Sequence, residues 1–430
     1  MVASVVIRNV TIIDGTGAAP VAGADVVARD GVFAAVGPGA AAAEGIAGAT
    51  VLEGAGQYLI PGLWESHTHL RAVRQDTEEA TQAALDDALR LYLSRGVTTV
   101  VDLGGPAATY LRRRERYPVP GQAGGARLLF AGPNFTGING WPFTLHHDPT
   151  CTNQAGDVAT ALAAFEGLLP VAPDVVKIMY EGEAGEDKLP REALEALVRA
   201  AHAHGLRTVV HVRSAEDSLH ALQAGADGLE HSFLPTAGQT RAEAEALTET
   251  LVRAGAYLTP TLAIWEQLGR AGDRDYLDEL AGERAITPAE AERLAAPATG
   301  WGRSEFPNHP KAECRARLEA AFEILPRMHA AGVKLAVGSD LALAVARPAA
   351  TLREMALLAR AGVPAGDVLV DATRHAAEKV GRGAEVGTIQ PGKIADAVLL
   401  DADPLADLAN LIRPGHVVAT IKDGEVRQPA

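Results

Sequence analysis

The chain has 430 residues, 47% of them hydrophobic, so it can bury a large core but is short for three independent domains. Its 54 acidic and 39 basic residues give a net charge of −15, which argues against nucleic-acid and membrane partners because it repels phosphates and anionic lipids. Only two cysteines are present, which excludes a disulfide framework and a cysteine zinc cluster. The first residues predict a strand rather than a signal peptide, so we expect a cytoplasmic location.

Both ends of the chain contain short β-type runs separated by turn residues. The turns include DG and GPG, which commonly separate strands. The runs are Val5–Ile13, Asp25–Ala28, Val32–Val36, Ala395–Asp401 and Val417–Lys422. Because the two ends share this pattern and the middle does not, we predict a small β-sandwich formed by residues 1–57 together with 390–430.

Residues 58–389 alternate apolar strands with amphipathic helices, the pattern of parallel β/α units. The eight predicted strands are Tyr58–His69, Val97–Leu103, Arg127–Ala131, Asp174–Tyr180, Arg207–Val212, Gly228–His231, Ala256–Thr261 and Lys334–Asp340. Eight repeats favour an α/β fold of the (β/α)8 TIM-barrel type. An open doubly wound sheet is disfavoured, since the G-x-G-x-x-G turn of a dinucleotide-binding fold does not follow the first strand.

Two connections between the predicted strands are longer than the usual few residues. Residues 132–157 follow the third strand and carry Trp141, His146 and His147, and residues 262–325 follow the seventh. Both leave the carboxyl ends of strands, where barrel enzymes have their active sites. We predict that they form the walls or lids of a substrate pocket, to which these three side chains contribute. The alternative for the two histidines is a solvated loop.

Polar residues end several of the predicted strands. The first strand ends with His67 and His69, and since residues two apart in a strand share a face, both imidazoles point the same way. Neutral imidazoles in such a pair suit zinc and related divalent metals. Other strands end near His211, His231 and Asp340. A single such histidine is more often a hydrogen-bonded core residue, but the repeated placement predicts a metal site.

Lys177 lies among apolar neighbours in the fourth strand of a chain in which only 7 of the 39 basic residues are lysine. Burial disfavours an ammonium group and lowers its pKa. A neutral amine can add CO2 to form a carbamate, whose two anionic oxygens can bridge two metal ions. The simpler interpretation is a lysine that extends to solvent from a strand end.

Barrel closure would bring these strand ends together. The last strand would place Asp340 beside His67 and His69, and the adjacent fifth and sixth strands would place His211 beside His231. We therefore predict two divalent ions, zinc by preference, bridged by the lysine carbamate. A bound ion lowers the pKa of water enough to give hydroxide at neutral pH, and Asp340 would serve as general acid and base. A variant with one ion and an unmodified lysine stays open.

The chain resembles the amidohydrolase superfamily in three places. The segment Pro61–Leu70, with the sequence PGLWESHTHL, resembles the opening barrel motif of that superfamily, and Lys177, His211, His231 and Asp340 match its remaining ligands in order. The segment Gly387–Ala397 resembles the return of the chain into the β-sandwich. The resemblance is greatest to prolidase-like and imidazolonepropionase-like members. It implies hydrolysis of amides, esters or cyclic amidines, with both metal positions occupied.

Two further residues are candidates for contact with substrate. Arg213 lies just beyond the fifth strand and could bind a carboxylate through two hydrogen bonds, or could pair on the surface with Glu216 or Asp217. Tyr180 ends the fourth strand and is a candidate catalytic group that stabilises the carbonyl oxygen, with simple packing as the alternative. Acidic runs such as residues 181–183 and 86–87 predict solvated surface.

The function hypotheses share one metal centre. We expect a hydrolase that cleaves a C–N bond of a small amide-like molecule, rather than the peptide bonds of proteins, through a metal-activated hydroxide. The same centre could hydrolyse an ester, a lactone or a cyclic amidine. The non-enzyme alternative is an inactive barrel with a binding or assembly role, which would be expected to lose ligands. Assembly into a homo-oligomer stays open.

Overall fold

The computed structural model describes residues 4–44, 48–70, 74–117, 124–182, 187–231, 241–295, 310–340, 347–413 and 415–427. Within these ranges the chain folds into a mixed α/β structure with one large hydrophobic core and a second core between terminal strands. No helix in the described ranges is both long enough and apolar enough to cross a membrane.

The strands of the described residues include both antiparallel and parallel sets. In chain order they are β1 (Ser4–Ile12), β2 (Val21–Arg29), β3 (Val32–Gly37), β4 (Thr50–Glu53), β5 (Tyr58–Pro61), β6 (Leu63–Thr68), β7 (Val97–Asp102), β8 (Arg127–Phe130), β9 (Asn134–Thr136), β10 (Thr152–Gln154), β11 (Val175–Met179), β12 (Arg207–His211), β13 (Gly228–Glu230), β14 (Tyr257–Thr259), β15 (Lys334–Leu335), β16 (Ala397–Leu400), β17 (Val417–Lys422) and β18 (Glu425–Arg427).

Helices occupy most of the connections between the parallel strands. In chain order they are α1 (Ala40–Glu44), α2 (Glu78–Ser94), α3 (Ala107–Arg116), α4 (Phe143–His146), α5 (Val158–Leu168), α6 (Arg191–Ala203), α7 (Ala215–Ala224), α8 (Arg241–Ala254), α9 (Leu262–Gly269), α10 (Arg274–Gly282), α11 (Pro288–Ala295), α12 (Lys311–Ala330), α13 (Arg347–Ala361), α14 (Ala365–Val370), α15 (Ala376–Lys379) and α16 (Ala409–Ile412). A π-helical turn, Asp371–His375, joins α14 to α15.

Helix α7 shows how the local sequence sets the two ends of a helix. The Ser214 hydroxyl accepts a hydrogen bond from the backbone N–H of Asp217 and so caps the first turn. The helix ends at Gly225, whose φ of 95° lies in the left-handed region that glycine adopts without a steric penalty. These two ends fix where the chain leaves β12 and where it enters β13.

The terminal segments form one sheet of eight strands. Its order is β18-β17-β16-β5-β1-β2-β3, and β4 pairs in parallel with β1. Described strands from residues 4–61 and from residues 397–427 thus pair within the same sheet. The predicted strand Tyr58–His69 is two strands, because β5 pairs with β1 and β16 of this sheet whereas β6 pairs with β7.

The middle of the chain supplies two parallel sheets. One has the order β6-β7-β8 and the other has the order β10-β9-β11-β12-β13-β14-β15. Backbone hydrogen bonds link the two sheets at both ends. The Ser66 N–H donates to the Val337 carbonyl at 3.0 Å, and the Asp174 N–H donates to the Phe130 carbonyl at 2.9 Å. The carboxyl ends of β6, β11, β12, β13 and β15 therefore approach a common region.

The two long connections have more regular structure than the sequence suggests. Residues 132–157 contain β9, α4 and β10, and β9 pairs with β11. Residues 262–325 contain α9, α10, α11 and the start of α12, although residues 296–309 lie outside the described ranges.

A buried ion cluster joins the terminal sheet to the parallel strands. Arg127, at the start of β8, donates from Nη1 to Oδ2 of Asp396 at 2.7 Å, and both side chains are almost completely buried. Arg127 also pairs with Asp423, and Nζ of Lys422 lies 3.5 Å from Oδ1 of Asp396. Burial by itself would raise the pKa of Asp396, but the cations of Arg127 and Lys422 lower it overall.

Replacing Asp396 with alanine is expected to lower the free energy of unfolding by about 3–5 kcal/mol, because two buried cations lose their shared carboxylate. Urea denaturation followed by circular dichroism measures this change. The matched control is Asp278→Ala, which breaks an exposed ion pair with Arg274 and should have a much smaller effect. Equal effects of the two substitutions would contradict a stabilising role for the buried cluster.

Candidate metal centre

The amino-terminal half of the site comes from β6, a strand in which every residue is buried. The side chain of His67 has no exposed surface. His69 is the first residue after the strand, and its side chain is 19% exposed. Gly338 makes room for the neighbouring chain, since a Cβ atom at that position would lie 2.6 Å from Cβ of His67. The backbone after β15 can thereby pass directly beside His67.

Asp340 stands next to both of these histidines. Its N–H donates to the His67 carbonyl at 2.8 Å, and its φ of 53° turns the chain so that the carboxylate faces the imidazoles. Oδ1 lies 3.3 Å from Nε2 of His67 and 3.2 Å from Nε2 of His69, while Oδ2 lies 3.5 Å from Nδ1 of His231. Burial favours the neutral acid, but the His231 and His67 imidazoles outweigh it and hold the pKa of Asp340 well below its usual range.

His231 and His211 form the other side of the cluster. Their ring centroids lie 4.4 Å apart, and the His231 ring is 4.7 Å from that of His67. His231 has a φ of 72°, so it also adopts a left-handed conformation at the end of a parallel strand. Burial lowers the pKa of both His211 and His231 well below the usual value. Both imidazoles are therefore neutral at physiological pH and retain a nitrogen lone pair.

Lys177 lies in the middle of β11 and is only 1% exposed, so it does not extend to solvent. Burial lowers its pKa to about 8, against the opposing effect of the Glu230 and Asp340 carboxylates. Among the described residues, Nζ of Lys177 has no hydrogen-bond partner. A polar group in the interior without such a partner is costly.

The donor set fits a divalent metal. One donor atom each from His67, His231 and Asp340 lies within 4.8 Å of the others, a spacing that a single ion could span. Neutral imidazole nitrogens together with a carboxylate oxygen are the ligands that zinc and similar ions prefer in proteins. His69, His211 and Lys177 border this group.

Glu181 is a site residue that the sequence interpretation missed, because it was assigned to solvated surface. The structure buries it to 4% exposure, with Oε1 3.0 Å from Nε2 of His211 and Oε2 2.7 Å from Nε of Arg213. Glu181 lies two residues after β11 and beside β12, and this position is the one sequence signal that could have identified it. Asp86, from the other acidic run, is likewise buried, where it pairs with Arg113.

Arg213 and Trp141 lie together at the mouth of the site. The guanidinium carbon of Arg213 lies 5.6 Å from the Trp141 ring centroid, and its side chain is 18% exposed. The cation is therefore held between an aromatic ring and the Glu181 carboxylate, rather than by the surface pairing with Glu216 or Asp217 considered above.

The structure does not place the remaining predicted residues directly against the candidate metal ligands in the part of the chain that it describes. The Tyr180 hydroxyl lies 3.4 Å from Nδ1 of His220, and the ammonium of Lys188 lies 4.1 Å from the Tyr180 ring centroid. Burial raises the pKa of Tyr180, so its phenol keeps its proton at neutral pH. His147 is exposed and its ring contacts Phe143 edge-on. The side chain of His146 lies outside the described part of the structure.

Two buried acids below the cluster were also not predicted. Glu65 accepts hydrogen bonds from the N–H groups of His67 and Ser339 and from the hydroxyls of Ser339 and Thr351, and burial raises its pKa to about 7. Glu230 accepts from Nδ1 of His67 at 2.6 Å. These acids fix the backbone and the ring that present the candidate ligands.

The fold and the cluster together describe an α/β protein with a histidine–carboxylate site at the ends of parallel strands. A model of the amidohydrolase family matches residues 58–427, which is most of the chain. The chain belongs to the amidohydrolase family. This assignment confirms the resemblance seen in the sequence and supports a hydrolase that acts on small molecules.

Solved structures with similar folds cover almost the whole chain. A candidate prolidase from Bifidobacterium longum is 25% identical, with 99% of this chain and 95% of that chain covered and a TM-score of 0.74. An A. niger ochratoxinase is 19% identical, with 99% and 96% coverage and a TM-score of 0.74. An Xaa-Pro dipeptidase with bound methionine is 18% identical, with 99% and 100% coverage and a TM-score of 0.73. No curated protein matches the chain significantly.

Proposed function

We propose that this amidohydrolase is a metal-dependent enzyme that cleaves a C–N bond of a small amide-like molecule. The observation that carries the proposal is the convergence of His67, His231 and Asp340 at the carboxyl ends of parallel strands. Burial keeps His211 and His231 neutral, which leaves their nitrogens available as ligands. The prolidase-like and ochratoxinase folds among the similar structures favour an amide-type bond.

The proposed architecture is a closed (β/α)8 barrel, residues 58–389, flanked by a β-sandwich of residues 1–57 and 390–430. The backbone hydrogen bonds that link the two parallel sheets at both ends support closure. Because β5 pairs within the terminal sheet, the boundary would be better placed after Pro61 than before Tyr58. A cytoplasmic location remains a prediction from the sequence, and assembly into a homo-oligomer stays open.

The proposed ligands of two divalent ions, zinc by preference, are His67, His69, His211, His231, Asp340 and a carbamate of Lys177. When bound, such ions would lower the pKa of water so that hydroxide is available at neutral pH. Nζ of Lys177 lacks a hydrogen-bond partner in the part of the chain that the structure describes, and its pKa is lowered. Both observations support carbamate formation, because only a neutral amine adds CO2. Binding of one ion with unmodified lysine is the alternative.

Asp340 is the proposed general acid and base. Its carboxylate is ionised at neutral pH, so it can accept the proton of the attacking water at Oδ1 or Oδ2. It would then pass that proton to the departing nitrogen, which leaves as a neutral amine. Tyr180 is proposed to stabilise the carbonyl oxygen of the substrate, for which its hydroxyl would have to turn away from His220.

Arg213, Trp141, His146 and His147 are proposed to contact the substrate. Arg213 is oriented by Glu181 and Trp141, which restrains its long side chain before a ligand binds. A substrate with a carboxylate beside the scissile amide would suit this guanidinium. Hydrolysis of an ester, lactone or cyclic amidine would use the same attacking group. An enzyme for one of those substrates would differ only in the residues that line its pocket.

The decisive test is metal analysis of the purified protein together with a hydrolysis assay on N-acyl amino acids, dipeptides, anilides and esters. We expect two ions per chain, loss of activity in the presence of a chelator and recovery on addition of Zn²⁺. Full activity after complete removal of metal would refute metal dependence. A metal-loaded protein that hydrolyses none of these substrate classes would favour the inactive barrel.

Substitution of Arg213 by methionine is expected to raise KM for carboxylate-bearing substrates by roughly 10- to 100-fold, with a smaller change in kcat, because a charge-assisted hydrogen bond is lost. Steady-state kinetics on a matched pair, an N-acyl amino acid and its uncharged amide, measures the effect. Arg207→Met, which removes a half-exposed arginine paired with Asp227, serves as the control. An equal rise in KM for both substrates would contradict carboxylate binding by Arg213.

A further inference from the structure

Lys379, at the end of α15, is a buried cation outside the proposed ligand set. Its side chain has no exposed surface, although lysine is rarely buried so completely. Nζ donates to the Ser66 carbonyl at 3.1 Å, to Oε1 of Glu230 at 2.9 Å and to Oγ1 of Thr259 at 2.7 Å. An ammonium group has three N–H donors, so these three acceptors satisfy it completely. The acceptors belong to β6, β13 and β14.

Glu230 links this lysine to the first candidate ligand. Oε1 of Glu230 accepts from Lys379, and Oε2 accepts from Nδ1 of His67 at 2.6 Å. The oxygens of an ionised carboxylate only accept hydrogen bonds, so Nδ1 of His67 must carry the proton. In the neutral ring the lone pair is then on Nε2, the atom that faces Asp340. A carboxylate in this position orients a metal-binding histidine and increases its basicity.

We propose that Lys379 is a positioning residue for metal binding: through Glu230 it fixes the rotamer and the tautomer of His67. The proposal rests on the proposed metal-dependent function. Lys379 itself contacts neither metal nor substrate. The Lys379 ammonium holds Oε1 of Glu230, so Oε2 is the oxygen that accepts the hydrogen bond from Nδ1 of His67. The same contact prevents the carboxylate from rotating away from His67.

The test uses the full-length protein, stripped of metal and titrated with Zn²⁺ in competition with a chelator. We expect Lys379→Met to weaken Zn²⁺ binding by roughly 10- to 100-fold, as for other residues that support metal ligands indirectly. Lys422→Met is the matched control, since Lys422 is also a buried, ion-paired lysine but lies in the terminal sheet. We expect this control to leave the Zn²⁺ Kd unchanged.

A second pair of variants separates tautomer control from simple cross-linking of strands. In Glu230→Gln, Lys379 would still require an acceptor and would hold the amide oxygen, which turns the NH2 group towards Nδ1 of His67. His67 would then have to carry its proton on Nε2, the tautomer that cannot bind metal there. In Glu230→Gln/Lys379→Met the amide can rotate and offer its oxygen to His67. The double variant should therefore bind Zn²⁺ more tightly than Glu230→Gln.

Two outcomes would overturn the proposed role of Lys379. One is equal Zn²⁺ affinity of Lys379→Met and Lys422→Met, and the other is a double variant that binds Zn²⁺ no better than Glu230→Gln. Circular dichroism establishes that each variant is folded. If Lys379→Met does not fold, because it leaves the Glu230 carboxylate buried and unpaired, the comparison between Glu230→Gln and the double variant, which removes that charge too, decides. Absence of Zn²⁺ binding by the wild-type protein would instead reject the proposed metal-dependent function, and the role of Lys379 with it.

Discussion

Asp340→Asn is expected to lose roughly 10²- to 10⁴-fold in kcat while it retains much of its bound metal. Asparagine keeps an oxygen that can face the ligand cluster, but its amide cannot accept and return a proton. The carboxylate that it replaces lies within 3.5 Å of His67, His69 and His231 and is ionised at neutral pH. Steady-state kinetics and metal analysis on the same preparation measure the two quantities.

Asp401→Asn is the matched control for this substitution, because Asp401 also lies against a histidine, His416, at 2.7 Å but belongs to the terminal segment. Its kcat should equal that of the wild type. A near-wild-type rate for Asp340→Asn would remove Asp340 from the chemistry. Complete loss of metal would show that Asp340 acts mainly as a ligand.

Lys177→Ala is expected to reduce the bound metal from two ions to about one and to lower kcat by roughly 10²-fold or more, because a second ion would stabilise charge in the transition state. Acetate should restore part of the metal binding, since it can place two anionic oxygens in the space that the lysine vacates. Reloading of the metal-free wild-type protein should be faster with bicarbonate than in CO2-free buffer.

Lys422→Ala provides the control for removal of a buried lysine and should keep both ions. If the wild-type protein binds two ions without any dependence on CO2, and Lys177→Ala keeps both, Lys177 is not a bridging ligand. The absence of a hydrogen-bond partner at Nζ among the described residues would then reflect a neutral amine tolerated in the protein interior.

Local patterns in the sequence were sufficient to predict the class of protein and to propose which strand ends carry its site. The alternation of strands and helices, the H-x-H spacing of His67 and His69, and the order of the later strand-end residues together predict an amidohydrolase, and the family match confirms it. Such patterns are readable because side-chain direction within a strand repeats every two residues, and parallel strands present their carboxyl ends on the same side.

Contacts between distant segments could be decided only by the tertiary structure. Glu181 looks like one of several surface acids in the sequence, yet packing buries it between His211 and Arg213. Lys379 is 149 residues from Glu230, and Glu230 is 163 residues from His67, so no local spacing connects the three. Their meeting depends on how helices and strands pack in three dimensions, because a long side chain can reach a partner only when the intervening backbone is already in place.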